Sequence, residues 1–488
     1  MIPVLLILVP FLGGLSTFAS RQKDNSKIFA LLASILTLLV SVGGLTIFKD
    51  PALLKANYEW IPALGTQFSL GLDGMGQLLC LLTAIAFPLI FVATYNNSFS
   101  QSHNYYGLML LSQAGLMGVF LATDALLFYF FWELALIPAY FLCSGWGGEK
   151  RIAVTFKFFI YTFVGSLLML IGLIYIYFQT PERSFAMEAF YKVVLSPDQQ
   201  SWIFWLLFIA FAIKMPVFPF HTWQPDTYEQ SPTATTMVLS GVMVKMGVFA
   251  VIRWLIPIVP NGFWSWGDAG AFLAMVGMVY ASLLAIQQDD LKKLIAYSSI
   301  AHIGLMVLAL FSTTNTGLQG VMIQMFNHGI NIIGMWVVVE LIERKLHTRK
   351  ISELGGLAQQ APTLAILLTI VAFANIALPL TNAFVGEFLM FTGVFTSNIS
   401  QFNYIYTVVA GLSIILSAVY TLNMIQKVFY GSTSAVTEKG IDIRFNEKLV
   451  LWIIVGLILV VGVYPKPFLD LTQESVTAVL NKMITKHP

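Results

Sequence analysis

About fourteen apolar runs of roughly 20 residues, each closed by a polar break, follow one another along the 488-residue chain. A helix of that length spans the ~30 Å hydrocarbon core of a bilayer. The runs fall near 2–20, 27–47, 75–95, 105–122, 125–145, 153–178, 202–219, 233–256, 269–287, 292–311, 319–342, 361–394, 404–427 and 448–466. Inside lipid a backbone must satisfy its own polar groups, so the pattern predicts an all-α polytopic membrane protein. Charged residues make up 10% of the chain, far below the ~25% of a soluble domain. The first run, MIPVLLILVPFLGGLSTFAS, has no basic residue ahead of it and reads as a membrane helix rather than a cleaved signal. The long polar stretches 48–72, 180–200 and 428–447 read as loops, and no extramembrane domain is expected.

A net charge of +2 argues against a nucleic-acid partner. The two cysteines, Cys80 and Cys143, both lie in apolar runs and support neither a disulfide framework nor thiolate ligation of a metal or iron–sulfur cluster. Lysine and arginine alternate unevenly between the two sides of the predicted spans. Fifteen, including Arg21, Lys150, Lys292, Arg349 and Lys427, collect on one side. Eight, including Lys49, Arg253 and Lys486, collect on the other, with Lys157, Lys214 and Lys245 left inside spans. The positive-inside rule makes the richer side cytoplasmic and puts both termini outside.

Two runs are irregular. The segment AFAIKMPVFPFHTWQPD carries Pro216, Pro219 and Pro225 directly after Lys214, which breaks the helix beside a charge. The run 361–394 is too long for one plain span and is interrupted at NIALPLTNAF, around Pro379. Discontinuous helices in corresponding positions of repeated halves point to a transporter's working site. Glu133 lies about 14 Å beyond Asp124, Lys214 about 18 Å into its helix, and Lys245 is similarly deep. A charge at that depth costs about 2.5–3.5 kcal/mol on insertion scales. The bland alternatives are a hydrogen-bonded structural carboxylate and lysines that snorkel to the interface. His302 and His328 lie deep in separate spans, where imidazole serves either as a core residue or as a proton relay. Glu387 follows the second interruption, beside Gly386. Asp289, Asp290, Lys292 and Lys293 read as a membrane-boundary cluster at a helix start, and Asp226 and Glu229 as caps or as the lining of an entrance. No Rossmann fingerprint or P-loop appears.

The stretches FFWELALIP, AFAIKMPVFPFHTWQPD, LSGVMVKMG, DLKKLIAYSSIAHIG, MFNHG and FVGEF occur in this order. Together they closely resemble the antiporter-like membrane subunits of complex I, the proton-pumping NADH:quinone oxidoreductase. Within that family the chain is most similar to the subunit M (chain 4) branch, because it leaves no room for a long lateral helix and has an acid at Glu387. The resemblance implies two inverted five-helix repeats, each with a broken helix, at 105–256 and 257–430. They would be flanked by N-terminal helices over 1–104 and by a loop, last helix and tail over 431–488. It implies a proton relay in which Glu133 pairs with Lys214, Lys245 is the central lysine, His302 and His328 form the polar axis and Glu387 is the terminal station. It also implies that NADH, FMN, iron–sulfur clusters and quinone belong to partner subunits, with no cofactor or metal in this chain. The partners would be other complex I membrane subunits, in a bacterial inner membrane. The second break departs from the family's glycine-rich pattern, reading Pro379-Leu380-Thr381-Asn382-Ala383-Phe384. A cation/proton antiporter subunit without redox partners is the alternative reading.

Overall fold

The computed structural model of the protein describes residues 1–20, 23–47, 50, 52–440 and 443–485. Arg21, Lys49 and Lys486 of the charge count lie outside the described residues, as do the side chains of Lys23 and Lys439. Nearly every apolar run becomes a helix. An N-terminal pair, α1 (Ile2–Ala19) and α2 (Lys23–Thr46), packs together and against α4 (Ser102–Leu121). Between the pair and α3 (Gly74–Ala93), the polar stretch read as a loop holds a two-stranded antiparallel hairpin. Its strands are β1 (Lys55–Ile61) and β2 (Thr66–Gly71), with Tyr58 opposite Phe68.

The chain continues through α5 (Ala125–Trp146), α6 (Arg151–Gln179), the short α7 (Met187–Lys192) and α8 (Pro197–Lys214). It stops being helical immediately after Lys214 and resumes as α9 (Trp223–Gln230), with the Phe218–Pro219 bond cis. The next span is α10 (Thr233–Val238), a π-helical turn over Leu239–Met243, α11 (Lys245–Ala250) and a second π-helical turn over Val251–Leu255. Three long helices follow: α12 (Pro260–Ile286), α13 (Leu291–Phe311) and α14 (Asn315–Leu346). A short α15 (Leu357–Gln360) leads into the second interrupted span, α16 (Pro362–Asn375) and α17 (Asn382–Phe395). The last three helices are α18 (Asn403–Phe429), α19 (Phe445–Val463) and α20 (Lys466–Thr485).

Among the described residues, eleven helices are long and apolar enough to cross a membrane. The other three runs are α4 and the two interrupted spans. Residues after 466, expected to be a tail, instead form α20, which lies against α3 and α14. Its buried Val476, Val479, Leu480 and Met483 repeat at helical spacing on one face, while its polar residues keep it out of the hydropathy count.

The ionisable groups are concentrated on the helices shielded from lipid. In the most apolar window of Thr233–Leu255, 100% of residues are buried, and 94% in those of α13 and α14. The corresponding share is 39–44% for α6, α12, α18 and α19, which carry the exposed apolar faces. A charge on an inner helix is hidden from hydrocarbon and can find polar partners, which is where such residues are tolerated.

Each end of the bundle is closed by ion pairs. At the lysine-rich end, Asp290 caps α13 through the Lys292 and Lys293 amides and pairs with Arg349. Arg349 also binds Glu343 and Glu229, both at 3.1 Å. Lys157, left inside a span by sequence, binds Asp226 at 2.8 Å. At the other end Arg253 belongs to the second π turn rather than to a loop, and its guanidinium meets Asp73 at 2.7 Å. Asp73 also caps α3 by accepting from the Gly76 amide at 3.0 Å. Burial pushes the Asp73 carboxyl up, but Arg253 and the Gly76 amide more than offset this and hold it below the usual carboxylate range.

A depressed carboxylate contributes stability above its unfolded pKa, and that contribution is lost as pH falls through the folded value. Asp73→Asn, which leaves Arg253 without its carboxylate, should therefore lower the stability of the detergent-purified chain by about 1–3 kcal/mol at neutral pH. The difference from wild type should shrink in thermal-melt series as pH drops below ~4. A pH-independent difference would show that the charge pair is not its source.

Candidate functional site

The six ionisable residues singled out by sequence lie on six elements: Glu133 on α5, Lys214 on α8, Lys245 on α11, His302 on α13, His328 on α14 and Glu387 on α17. Four of them form a chain. Lys245 Nζ lies 2.8 Å from His328 Nδ1 and donates to the Ser240 carbonyl at 2.7 Å. The His328 and His302 rings have centroids 5.8 Å apart, tilted by 55°. His302 Nδ1 then stands 3.4 Å from Glu387 Oε1, which also accepts from Gln324 Nε2 at 3.5 Å. Lys245, His328 and Glu387 are at most 3% exposed and His302 is 8% exposed, so every proton position in the chain is sheltered from bulk water.

The Lys245–His328 contact serves both protonation states of the lysine. When Lys245 is an ammonium, His328 Nδ1 accepts and the neutral ring carries its proton on Nε2. When Lys245 is an amine, the same contact reverses and Nδ1–H donates. A proton can therefore cross this contact in either direction without a side chain leaving its place.

Local backbone geometry brings the pair together. The π turn over Leu239–Met243 shifts the hydrogen-bond register by one residue, and the Ser240 carbonyl takes the ammonium five residues on. Gly241, in that turn, and Gly329, next to His328, let the two backbones touch. A Cβ on Gly329 would sit 2.8 Å from the Gly241 carbonyl oxygen. The sequence LSGVMVKMGVFA has no proline to announce these π turns and reads as plain helix.

Glu133 and Lys214 are not joined. Lys214 Nζ and Glu133 Oε1 are both buried and neither has a hydrogen-bond partner in the protein. The ammonium instead lies 5.6 Å from the Trp132 ring centroid, with Glu133 near enough to act on it electrostatically. Lys214 is the last residue of α8, where a cation complements the negative end of the helix dipole. Across the break beyond it, Trp223 Nε1 donates to the Ile213 carbonyl at 2.9 Å.

The second break takes its shape without glycine. Ala377 (φ 54°) and Leu380 (φ 74°) both adopt left-handed backbone, a conformation that costs an L-residue about 1–2 kcal/mol. The surrounding contacts hold it there. Asn327 Nδ2 of α14 donates to the Asn382 carbonyl at 2.7 Å, and the Asn382 side chain accepts from the Ala383 amide at 2.8 Å. Gly462 of α19 backs the turn, where a Cβ would lie 2.2 Å from the Leu380 carbonyl oxygen.

Several polar partners carry no charge to announce them in the sequence. Gln324, Asn327 and Asn331 join His328 at helical spacing in one buried polar stripe on α14, a periodicity that the sequence does contain. Glu340 and Glu447 are buried acids, held by Asn97 Nδ2 at 2.6 Å and by Arg344. Among the described residues, no group of three His, Cys, Asp or Glu side chains is arranged to hold a metal ion.

A family model described as NADH:quinone oxidoreductase/Mrp antiporter, transmembrane, matches residues 122–417. The chain is 36% identical over 470 residues to the NADH-quinone oxidoreductase subunit M of Rhodobacter capsulatus, covering 93% of this chain and 90% of that one. It is 34% identical over 502 residues to the F(420)H(2) dehydrogenase subunit M of Methanosarcina mazei, covering 99% of both. Among solved structures, a chain of respiratory complex I from Thermus thermophilus with bound NADH superimposes with a TM-score of 0.91 at 29% identity. That match covers 99% of this chain and 100% of the other.

The close backbone approach at Gly329 is open to a direct test. Gly329→Val must push the π turn away from α14 and should destabilise the purified chain by about 1–3 kcal/mol in thermal denaturation. An unchanged melting temperature would mean that the approach is not needed to seat Lys245 against His328.

Proposed function

The chain belongs to the NADH-quinone oxidoreductase subunit M family, the proton-translocating membrane subunits of complex I, and from that premise we propose that its protons move along the half-buried Glu133 and the buried Lys214, Lys245, His328, His302 and Glu387. The observation that carries this reading is the line Lys245, His328, His302 and Glu387 inside the shielded core, with polar contacts at both ends and two neighbouring imidazoles between them whose Nε2 atoms have no hydrogen-bond partner in the protein. Imidazole titrates near neutral pH, so two of them between a lysine and an acid suit a relay.

A lysine in a dry site is held in its charged form by a nearby carboxylate, and that support weakens as the carboxylate withdraws. One pKa unit corresponds to about 1.4 kcal/mol, so a small movement of Glu133 relative to Lys214 is enough to redirect a proton. The buried polar atoms of Lys214, Glu133 and Asn331 have no partner in the protein, and bound water that satisfied them would supply proton carriers near the two lysines. On this reading the two interrupted spans belong to repeats at 105–256 and 257–430, flanked by 1–104 and 431–488.

The energy comes from electron transfer in partner subunits, which would hold the FMN, iron–sulfur clusters, NADH and quinone sites. Relatives named for NADH and for F(420)H(2) resemble this chain to a similar degree, which supports placing the donor's recognition outside it. We assign the protein to a bacterial inner membrane, with the lysine-rich end cytoplasmic and both termini periplasmic. Its neighbours would be other membrane subunits, including related antiporter-like ones.

Affinity purification of the tagged chain from native membranes in mild detergent should bring with it iron–sulfur proteins and an activity that oxidises a reduced nicotinamide or deazaflavin donor. Recovery with neither would favour a cation/proton antiporter instead. Glu133→Ala or Lys214→Ala should lower proton pumping and the accompanying quinone reduction severalfold in complexes that still assemble. Wild-type pumping by an assembled Glu133→Ala complex would remove that residue from the route.

A further inference from the structure

The far end of the relay has a polar connection that the route above does not use. At the lysine-rich end, a cavity of about 540 Å³ opens among Gln288, Asp289, Asn423, Lys427 and Ser432, and Tyr420 lines it. Tyr420 lies nine residues inside the end of α18, about 14 Å down the helix. Its hydroxyl is fully buried, 2.9 Å from Ser298 Oγ and 3.1 Å from Ser417 Oγ. Ser298 also accepts from Asn375 Nδ2 at 3.2 Å, beside the second helix break. Ser417 and Ser413 then line a second, small cavity together with His302 and Glu387. That cavity measures about 10 Å³, the size of a single water site.

Serines in membrane helices commonly turn their hydroxyls back onto their own helix, as Ser282 does toward the Met278 carbonyl at 2.8 Å. Ser298 and Ser417 are arranged differently. Tyr420 has one O–H to give, so it donates to one serine at a time; when it donates to Ser417, that serine keeps its own hydroxyl proton to pass onward, while Ser298, which accepts from Asn375, can donate to Tyr420. Toward the opposite face α13 offers no polar side chain. Every residue of α13 between His302 and Phe311 is apolar or glycine.

We propose that Tyr420 and Ser417, with Ser298 beside them, form a hydroxyl wire that loads Glu387 directly from the lysine-rich face of the membrane. A proton arriving at Tyr420 Oη takes an oxygen lone pair while the original O–H proton passes to Ser417 Oγ. The Ser417 proton passes in turn to a water in the small cavity, and that water gives one to the Glu387 carboxylate. Each hydroxyl and the water end neutral, and the carboxylate becomes a carboxylic acid. Glu387 thus receives protons from two sources, the histidines and this wire. The inference rests on Glu387 being a proton station, and on the charge asymmetry that makes the lysine-rich face cytoplasmic.

The test uses the whole assembled complex in inside-out membrane vesicles, comparing Tyr420→Phe, Ser417→Ala, Ser417→Thr and Glu387→Gln by protons pumped per electron transferred. Tyr420→Phe and Ser417→Ala should each lower pumping at least threefold, while Ser417→Thr, which keeps a hydroxyl, should restore most of it. Wild-type pumping by Tyr420→Phe and Ser417→Ala, with Glu387→Gln impaired, would overturn the wire and leave the relay standing. Wild-type pumping by Glu387→Gln would overturn both. A second measurement does not depend on turnover. Cys80 and Cys143 are buried, so Tyr420→Cys should provide the thiol that a membrane-impermeant reagent reaches from the cytoplasmic face. Labelling from the opposite face alone, or none, would overturn the proposal.

Discussion

A lysine amino group held deep in a membrane by a histidine and a backbone carbonyl, with no carboxylate in contact, is the interaction around which this core is arranged. It requires a carbonyl pointed at the lysine, and the π turn at Leu239–Met243 provides one. It requires His328 within hydrogen-bonding distance, and the facing glycines Gly241 and Gly329 allow that approach. It requires exclusion of lipid, and α6, α12, α18 and α19 supply the apolar wall. With Lys245 fixed, His302 and Glu387 extend the same polar line across α13, α14 and α17.

What the sequence made legible was what is expensive in a bilayer. Charges at Lys214, Lys245, Glu133 and Glu387 stand out because hydrocarbon penalises them, and proline announces the break after Lys214. The π turns were not legible, because a shifted hydrogen-bond register leaves no mark on composition. Nor was the state of the first pair, since whether Glu133 and Lys214 touch depends on the packing of α5 and α8 and not on either residue alone. The second break was legible in position but not in geometry: Ala377 and Leu380 take left-handed backbone without glycine, and the contacts of Asn327 and Gly462 hold it. The α20 stripe and the polar row on α14 were both readable as periodicities. A hydropathy scan discounts the first for its polar residues and averages the second into its apolar neighbours.

The two breaks differ in a way that bears on mechanism. Lys214 sits before its break, at the carboxyl end of a helix that favours a cation, and has no hydrogen-bonded partner. Glu387 sits after its break, bonded to Gln324 and facing His302. In the proposed relay the first station would be poised for its partner to move, and the second would already be engaged. The hydroxyls of Tyr420, Ser298 and Ser417 toward the lysine-rich face and the apolar run of α13 toward the other would then belong to one conformation of a cycle.

The central claim is that protons pass from Lys245 to Glu387 through His328. The most direct test is the number of protons pumped per electron by the assembled complex carrying His328→Leu, which fills the site but can neither accept nor donate a proton. The account predicts a lower ratio, with the complex still assembled and still oxidising its donor. A wild-type ratio at a wild-type rate would contradict it.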